Sequence, residues 1–252
     1  IDSVKFNVVS STHDKVVVDP LTPILEDWIT PILKNNSCQK VIKNPQTIEV
    51  RNLKLIGGGF IGQAVVPGLS KFLGEPYTVE AFIPGSQIVL NIESDFTKWE
   101  GKTVKAFVTN YIQKPGSSNQ MSLICSVKEY LKFQGEKNLI DLFNLWCDAS
   151  DEWKKVSQTP LEGRVTGIIN SSKKCGAFVE IPSLNITGMV NLKPERLVEY
   201  KPGTAVKVNL CDFEENVYFD DSVNQLQHEI PYQIEDGVLV KCNLKPVFKF
   251  FE

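Results

Sequence analysis

Short runs in which apolar or β-branched residues alternate with polar ones recur along this chain, with glycines between them. In the region 161–208 such runs occupy 164–169, 177–181, 187–190 and 205–210. Each run has the length of one strand of about five residues. The glycines between them supply the backbone freedom that a strongly bent sheet needs at its corners. The pattern therefore predicts a small, closed antiparallel barrel.

The same order of runs precedes this region. A long strand is predicted at 47–56, a strand running into a turn at 81–87, a glycine-led strand at 101–108 and a fifth strand at 121–127. Two prolines and two glycines in 66–78 are typical of an inserted loop between the second and third strands. The chain thus predicts two related barrels.

The second barrel needs a fifth strand of its own. An acidic stretch at 212–221 follows the fourth strand, and it is predicted to be a surface loop. The β-branched run at 237–244 predicts the closing strand, which leaves 248–251 as a tail.

Helical spacing of apolar residues is found outside the barrels. In 136–156 they recur at near-helical steps, so a helix linking the barrels is expected, with Trp146 and Trp153 as packing anchors rather than base platforms. Near the start, strands at 4–9 and 15–18 predict a hairpin, and the apolar residues of 19–33 predict a helix.

These patterns predict a mainly β protein. It has an N-terminal extension at 1–46, formed by a hairpin, which could be the end of a preceding barrel, and a helix. A first five-stranded antiparallel barrel follows at 47–134, then a linker helix at 135–157 and a second such barrel at 158–252. Alternating βαβ spacing is absent, which argues against a parallel sheet.

Composition narrows the possible partners. The 252 residues carry a net charge of −3 and a sequence pI near 5.6, so contacts to nucleic acid would depend on local patches and stacking. The six cysteines stand singly, which predicts free thiols in a reducing compartment and no structural zinc. No apolar run reaches the roughly twenty residues of a membrane span. The start at Ile1 rather than Met suggests a processed chain or a fragment of a longer protein.

A set of motifs in the second barrel is similar to the S1 RNA-binding domain family, whose repeats build ribosomal protein S1. The motifs are Gly163-x-Val165, Gly176-Ala177-Phe178-Val179, Gly188-x-Val190 and Tyr200-x-x-Gly203-x-x-Val206. The first barrel resembles the same family through Gly-Gly-Phe at 58–60 and Phe-Ile-Pro-Gly-Ser-Gln at 82–87. The resemblance implies OB-type barrels and a cytoplasmic translation factor that binds single-stranded messenger RNA. Because some repeats serve attachment, it equally allows docking to the ribosome or another protein.

An OB-type barrel binds single strands on its second and third strands and on two flanking loops. There, bases stack on aromatic rings while Lys and Arg follow the phosphates. The candidate RNA-binding residues are Phe60, Phe82, Tyr111 and Lys114 in the first barrel and Lys173, Lys174 and Phe178 in the second. The phenylalanines alternate with apolar neighbours and could instead point into the core, and the lysine pair could be a solvated turn.

The two copies can be aligned on their glycine turns. This alignment sets Gly57-Gly58-Gly59-Phe60 against Cys175-Gly176-Ala177-Phe178 and places Val190 where Phe82 stands. On this basis the second barrel would have lost one aromatic platform.

Catalytic motifs are missing from the sequence. The glycine run at 57–59 lacks the Lys-Ser/Thr of a phosphate-binding loop, and Ser86 lacks a nucleophile-elbow pattern. We therefore expect a protein that is not an enzyme and uses no cofactor or metal. Two hypotheses remain: a tandem module that binds single-stranded RNA in translation, and an adaptor that uses the barrels to dock a ribosomal or other protein.

Overall fold

A computed structural model describes residues 7–12, 16–19, 47–66, 78–90, 95–113, 121–214, 217–220, 222–235 and 238–251. The chain divides into two compact units, Ile1–Tyr130 and Leu131–Glu252. Each unit contains one closed five-stranded barrel. The prediction of a mainly β protein with two such barrels is confirmed.

The N-terminal hairpin is also present. Strands β1 (Asn7–Ser11) and β2 (Val16–Asp19) pair antiparallel. The helix predicted at 19–33 lies outside the described residues, apart from Asp19 at the end of β2.

Five strands close the first barrel in the order β3-β4-β5-β7-β6. They are β3 (Thr47–Ile56), β4 (Gly59–Val65), β5 (Thr78–Pro84), β6 (Val104–Gln113) and β7 (Met121–Ser126). Neighbours are antiparallel except β5 and β7, which pair in parallel. Short 3-10 turns, Gly85–Gln87 and Thr97–Trp99, lie between β5 and β6. Of the predicted inserted loop, 67–77 lies outside the described residues.

The second barrel repeats this plan in the order β10-β16-β11-β8-β9. Its strands are β8 (Leu161–Asn170), β9 (Cys175–Ile181), β10 (Ile186–Asn191), β11 (Ala205–Phe213) and β16 (Pro246–Phe250), and a 3-10 turn spans Pro194–Glu199. Here the parallel pair is β10 and β16. Two hairpins separate β11 from β16: β12 (Val217–Asp220) with β13 (Gln225–His228), and β14 (Tyr232–Glu235) with β15 (Val238–Cys242).

The prediction of a closing strand at 237–244 is wrong. Residues Val238–Cys242 pair with the preceding strand β14, and Pro246–Phe250 closes the barrel instead. Phe248 is almost fully buried among the core residues of this barrel. Both segments have strand-like sequences, and only the burial of Phe248 makes the later one part of the barrel.

The linker helix starts earlier than its predicted start at 136. Helix α1 (Val127–Cys147) directly follows β7, and α2 (Asp151–Gln158) follows after a short break. Ser126 caps α1, since its Oγ accepts a hydrogen bond from the backbone N–H of Glu129 at 3.0 Å. The Ser-x-x-Glu spacing is a sequence signal for a helix start that apolar periodicity alone does not contain.

The tryptophans of these helices are packing anchors, as predicted. Their rings lie 5.8 Å (Trp146) and 6.4 Å (Trp153) from the ring of Phe213, at the end of β11. Helix α1 also approaches the β9–β10 turn, where the Asn138 side-chain amide donates to the carbonyl of Leu184 at 2.8 Å. The helices therefore cover one side of the second barrel.

Candidate functional site

Phe82 faces outward at the middle of the first barrel's sheet. Its neighbours on β5, Ala81 and Ile83, are fully buried, so alternation along the strand turns Phe82 to the other side. Phe82 pairs with Ile61 of β4 and with Ile124 of β7, and all three side chains are half-buried. They form an outward apolar row across three strands, which we call the first row.

A cation borders this row. Lys54 on β3 pairs with Ile61 and is exposed. A base stacked on Phe82 would thus have Lys54 nearby, on the strand next to that of Ile61. The Lys54 ammonium could contact a phosphate of the same nucleic-acid strand.

Phe178 faces outward in the second barrel. It is 38% exposed and pairs with Met189 of β10, which in turn pairs with Val247 of β16. On its other side Phe178 pairs with Gly167, and its ring carbon Cδ2 lies 3.8 Å from the position that a Cβ on that glycine would occupy. Phe178, Met189 and Val247 form the second row.

Two glycines show how the barrels correspond. A Cβ on Gly59 would lie 2.2 Å from the carbonyl oxygen of Ile83, and a Cβ on Gly176 would lie 2.2 Å from that of Val190. Both positions therefore need glycine because a neighbouring strand passes too close for any side chain. Gly59 thus corresponds to Gly176, and the sequence alignment of the turns is wrong by one residue.

This correspondence corrects the assignments of the aromatic residues. Phe60 corresponds to Ala177 and is completely buried, with its ring 6.0 Å from that of Phe96, so it cannot stack on a base. Phe82 corresponds to Met189, whereas Val190 corresponds to the core residue Ile83. The second barrel therefore retains an aromatic ring on this face. The ring is that of Phe178 on the second strand of the barrel, whereas in the first barrel it is that of Phe82 on the third strand.

Tyr111 does not join the first row. It pairs with Leu123, a fully buried residue, whereas the row residue Ile124 pairs with Asn110. Tyr111 is half-buried on the side of the sheet that Leu123 occupies. Of the candidate residues Phe60, Phe82 and Tyr111, only Phe82 therefore lies in the outward row. Lys114 lies outside the described residues.

The two lysines of the β8–β9 turn, Lys173 and Lys174, have different surroundings. Ser171 closes the turn between β8 and β9, because its N–H donates to the carbonyl of Lys174 at 2.8 Å and its Oγ accepts from the Lys174 N–H at 3.0 Å. The Lys174 ammonium forms an ion pair with Glu214, so its charge is largely compensated. Lys173 is exposed on the same turn. Of the two, Lys173 is the better placed to meet a phosphate.

Ile61, Met189 and Lys54 are not among the candidate residues predicted from the sequence. The signal that could have found them is the pair of glycines that allow a close strand approach, since aligning Gly59 with Gly176 places each residue on its correct face.

Five cysteines lie in the described part of the chain, and none of the five forms a disulfide. Among the residues that can be described, no three histidine, cysteine or acidic side chains are grouped so that they could hold a metal ion. Burial raises the pKa of the Cys125 thiol to about 12, and it raises that of Cys242 as well.

Alkylation of the native protein with iodoacetamide at pH 8 is expected to discriminate between these thiols. Cys147 is exposed and should react first, whereas Cys125 is buried and stays protonated, so it should react only in denaturant. Because the pKa of Cys125 is higher in the folded protein than in the unfolded chain, the protonated thiol contributes to the free energy of unfolding. This contribution is complete below pH 9 and is lost between pH 9 and 12. Peptide mass spectrometry provides the measurement, and modification of Cys125 as fast as Cys147 in the native protein would contradict the burial.

No protein-family model matches the chain, and no curated protein matches its sequence. Among solved structures it is similar to a multidomain protein with nucleic acid binding domains from Streptococcus pneumoniae TIGR4, at 12% identity and a TM-score of 0.24. The match covers 77% of this chain and 54% of that one, so this chain spans about half the length of that protein. At this TM-score the similarity carries no argument about what the chain binds.

Among the described helices, none combines the length and the apolar character needed to cross a membrane.

Proposed function

We propose that the chain binds single-stranded RNA on the outward rows of its two barrels. The observation that carries this proposal is that each barrel places one phenylalanine, Phe82 or Phe178, at the centre of an outward apolar row. Unpaired bases stack on such rings with about 1–3 kcal/mol each. A flat ring between apolar neighbours on a barrel face is the geometry that this stacking needs.

Charge has a secondary role in this proposal. The net charge of −3 gives the chain no general attraction for phosphate. Exposed Lys54 borders the first row and exposed Lys173 lies on the turn that leads into β9. Binding should therefore rest mainly on stacking and depend only weakly on salt.

We further propose that the chain is a ribosomal-protein-S1-like factor that holds messenger RNA during translation in the cytoplasm, without enzymatic activity. The motif resemblance in both barrels supports this finer role, and it makes the ribosome a candidate partner.

Replacing Phe178 or Phe82 with alanine should weaken binding of a fluorescently labelled, pyrimidine-rich RNA oligonucleotide about 5- to 150-fold each, which corresponds to one lost stack. Phe178→Trp should retain binding, because it keeps a ring. The slope of log K against log salt should change little. Fluorescence anisotropy at several salt concentrations gives both quantities.

The matched control is Val198→Ala, which truncates an exposed apolar residue outside both rows. Melting temperatures measured in parallel exclude loss of fold as the cause. Alanine variants of both rings that bind like the wild type would overturn the assignment of the rows.

The adaptor hypothesis has one observation in its favour. The described residues of the hairpin segment between β11 and β16 include four exposed large apolar side chains, Val223 (51%), Leu226 (70%), Ile230 (67%) and Ile234 (53%). Exposed apolar groups of this kind often mark protein contacts. If the wild-type chain binds no single strand even at low salt, docking through this segment becomes the preferred function.

A further inference from the structure

The second barrel also carries a groove beside its row. It has a volume of about 620 Å³ and lies where β10, β11 and β16 meet the end of α2. Its polar lining includes Gln158, Asn191, Arg196, Asn209 and Lys249.

Strand register brings several of these groups together. Lys249 pairs with Asn209 on β11, and it directly follows Phe248, which pairs with Val190 on β10. Asn191, which follows Val190 on β10, is therefore the neighbour of Lys249 on the other side. The three side chains form a polar row two residues further along β10 and β16 than Met189 and Val247, on the same outward face.

The charge of the groove is positive. Arg196 and Lys249 line it, and no described lining residue is acidic. The Arg196 guanidinium is held in place, because its Nε donates to Glu199 Oε2 at 3.4 Å and its Nη2 donates to the Tyr200 hydroxyl at 3.1 Å. The ion pair with Glu199 compensates part of the Arg196 charge, so most of the positive charge of the groove comes from Lys249. Among the residues that the structure describes, no carboxylate pairs with Lys249. A positive groove with a fixed guanidinium suits an anionic group of the size of a phosphate.

An aromatic wall completes the groove. Phe251 lines it and is 52% exposed, and its backbone N–H donates to the carbonyl of Lys207 at 2.9 Å. The preceding ring, Phe250, is stacked on Tyr200 with centroids 4.1 Å apart and planes 6° from parallel. Since these contacts hold Phe250 and the backbone of Phe251, the exposed ring is a stable surface for a planar base.

Amides provide hydrogen bonds for the edge of that base. The side-chain NH₂ of Asn209 donates one hydrogen bond to the carbonyl of Ser157 at 2.9 Å, which leaves its second N–H as a donor and its Oδ1 as an acceptor for a base edge. Asn191 and Gln158 can each both donate and accept.

We propose that this groove binds one phosphate-bearing nucleotide, with the phosphate between Arg196 and Lys249 and the base against Phe251. The nucleotide is either a unit of the strand that crosses Phe178 and Met189 or a free mononucleotide. The first source rests on the proposed function, and the second does not.

The probes that test the groove are uridine 5′-monophosphate, uridine without phosphate, and the labelled RNA oligonucleotide. Lys249→Gln and Arg196→Gln should each weaken binding of the monophosphate or the oligonucleotide roughly tenfold, because each removes a charged hydrogen-bond donor. Lys201→Gln, an exposed lysine of the same barrel outside the groove, is the matched control and should have no effect. Phosphate dependence predicts weaker binding of uridine.

A second readout is independent of affinity. Cys211 lines the groove and Cys147 is exposed elsewhere, so bound nucleotide should slow alkylation of Cys211 and leave Cys147 unchanged.

The two sources give different outcomes. If the groove is a site for a free mononucleotide, uridine 5′-monophosphate alone slows alkylation of Cys211. This protection is retained in Phe178→Ala, whether or not that variant still binds RNA. If the groove instead continues the RNA-binding surface of Phe178 and Met189, Lys249→Gln and Arg196→Gln weaken binding of the oligonucleotide only. If both groove variants bind every probe as Lys201→Gln does, the groove is not a nucleotide site, even when Phe178→Ala still weakens RNA binding. A wild type that binds none of the probes overturns both proposals.

Discussion

Truncating Phe60 to alanine is expected to destabilise the first barrel by about 3–5 kcal/mol, the usual cost of removing a buried phenylalanine ring. Phe60 has no exposed surface, and its ring contacts that of Phe96 at a centroid distance of 6.0 Å. Its loss leaves a cavity in a small core that cannot collapse without distorting the closed sheet. The same substitution at Phe82 should cost less stability, because that ring is half-buried on the outside.

Hydrogen exchange followed by mass spectrometry measures this effect barrel by barrel. Peptides from 47–66 should lose protection in Phe60→Ala, whereas peptides from 161–181 serve as an internal control and should stay unchanged. Equal loss of protection in Phe60→Ala and Phe82→Ala would show that both rings are core residues, and the first row would then have no platform.

Adding a single methyl group at Gly59 is expected to destabilise the first barrel by about 1–3 kcal/mol or more, through overpacking. A Cβ there would lie 2.2 Å from the carbonyl oxygen of Ile83 and 2.9 Å from the nitrogen of Gly85. Both are backbone atoms, so no side chain can turn away to make room, and β4 and β5 would have to separate.

Gly57→Ala is the matched control in the same turn. A Cβ at Gly57 meets no heavy atom within 4 Å, so its effect should stay within about 0.5 kcal/mol. Gly176→Ala should reproduce the damage in the second barrel, since its Cβ would lie 2.2 Å from the Val190 carbonyl oxygen. Urea denaturation gives the difference. Equal stability of Gly59→Ala and Gly57→Ala would refute the correspondence between the two barrels.

The presence of two five-stranded barrels could be predicted from the sequence, although the closing strand of the second barrel was assigned to the wrong segment. Strands such as Thr47–Ile56 and Met121–Ser126 appear as alternating or β-branched runs between turn residues, and that signal is local. The N-terminal hairpin, the two closed barrels and the packing role of Trp146 and Trp153 follow from the same kind of pattern.

Which face each side chain occupies was decided by the tertiary structure. A strand has a period of two, so an alignment error of one residue moves every side chain to the opposite face. That single step separates the buried Phe60 from the outward Phe178. The glycines mark the register, but they do so through an approach to a neighbouring strand that is distant in sequence.

The closing strand and the groove depend on the same long-range pairing. Val238–Cys242 and Pro246–Phe250 are both strand-like, and only the space in the core for Phe248 decides between them. The groove residues Asn191, Asn209 and Lys249 come from three separate strands. Local sequence determined that these strands form, whereas barrel closure, which pairs residues distant along the chain, determined that the three polar side chains meet.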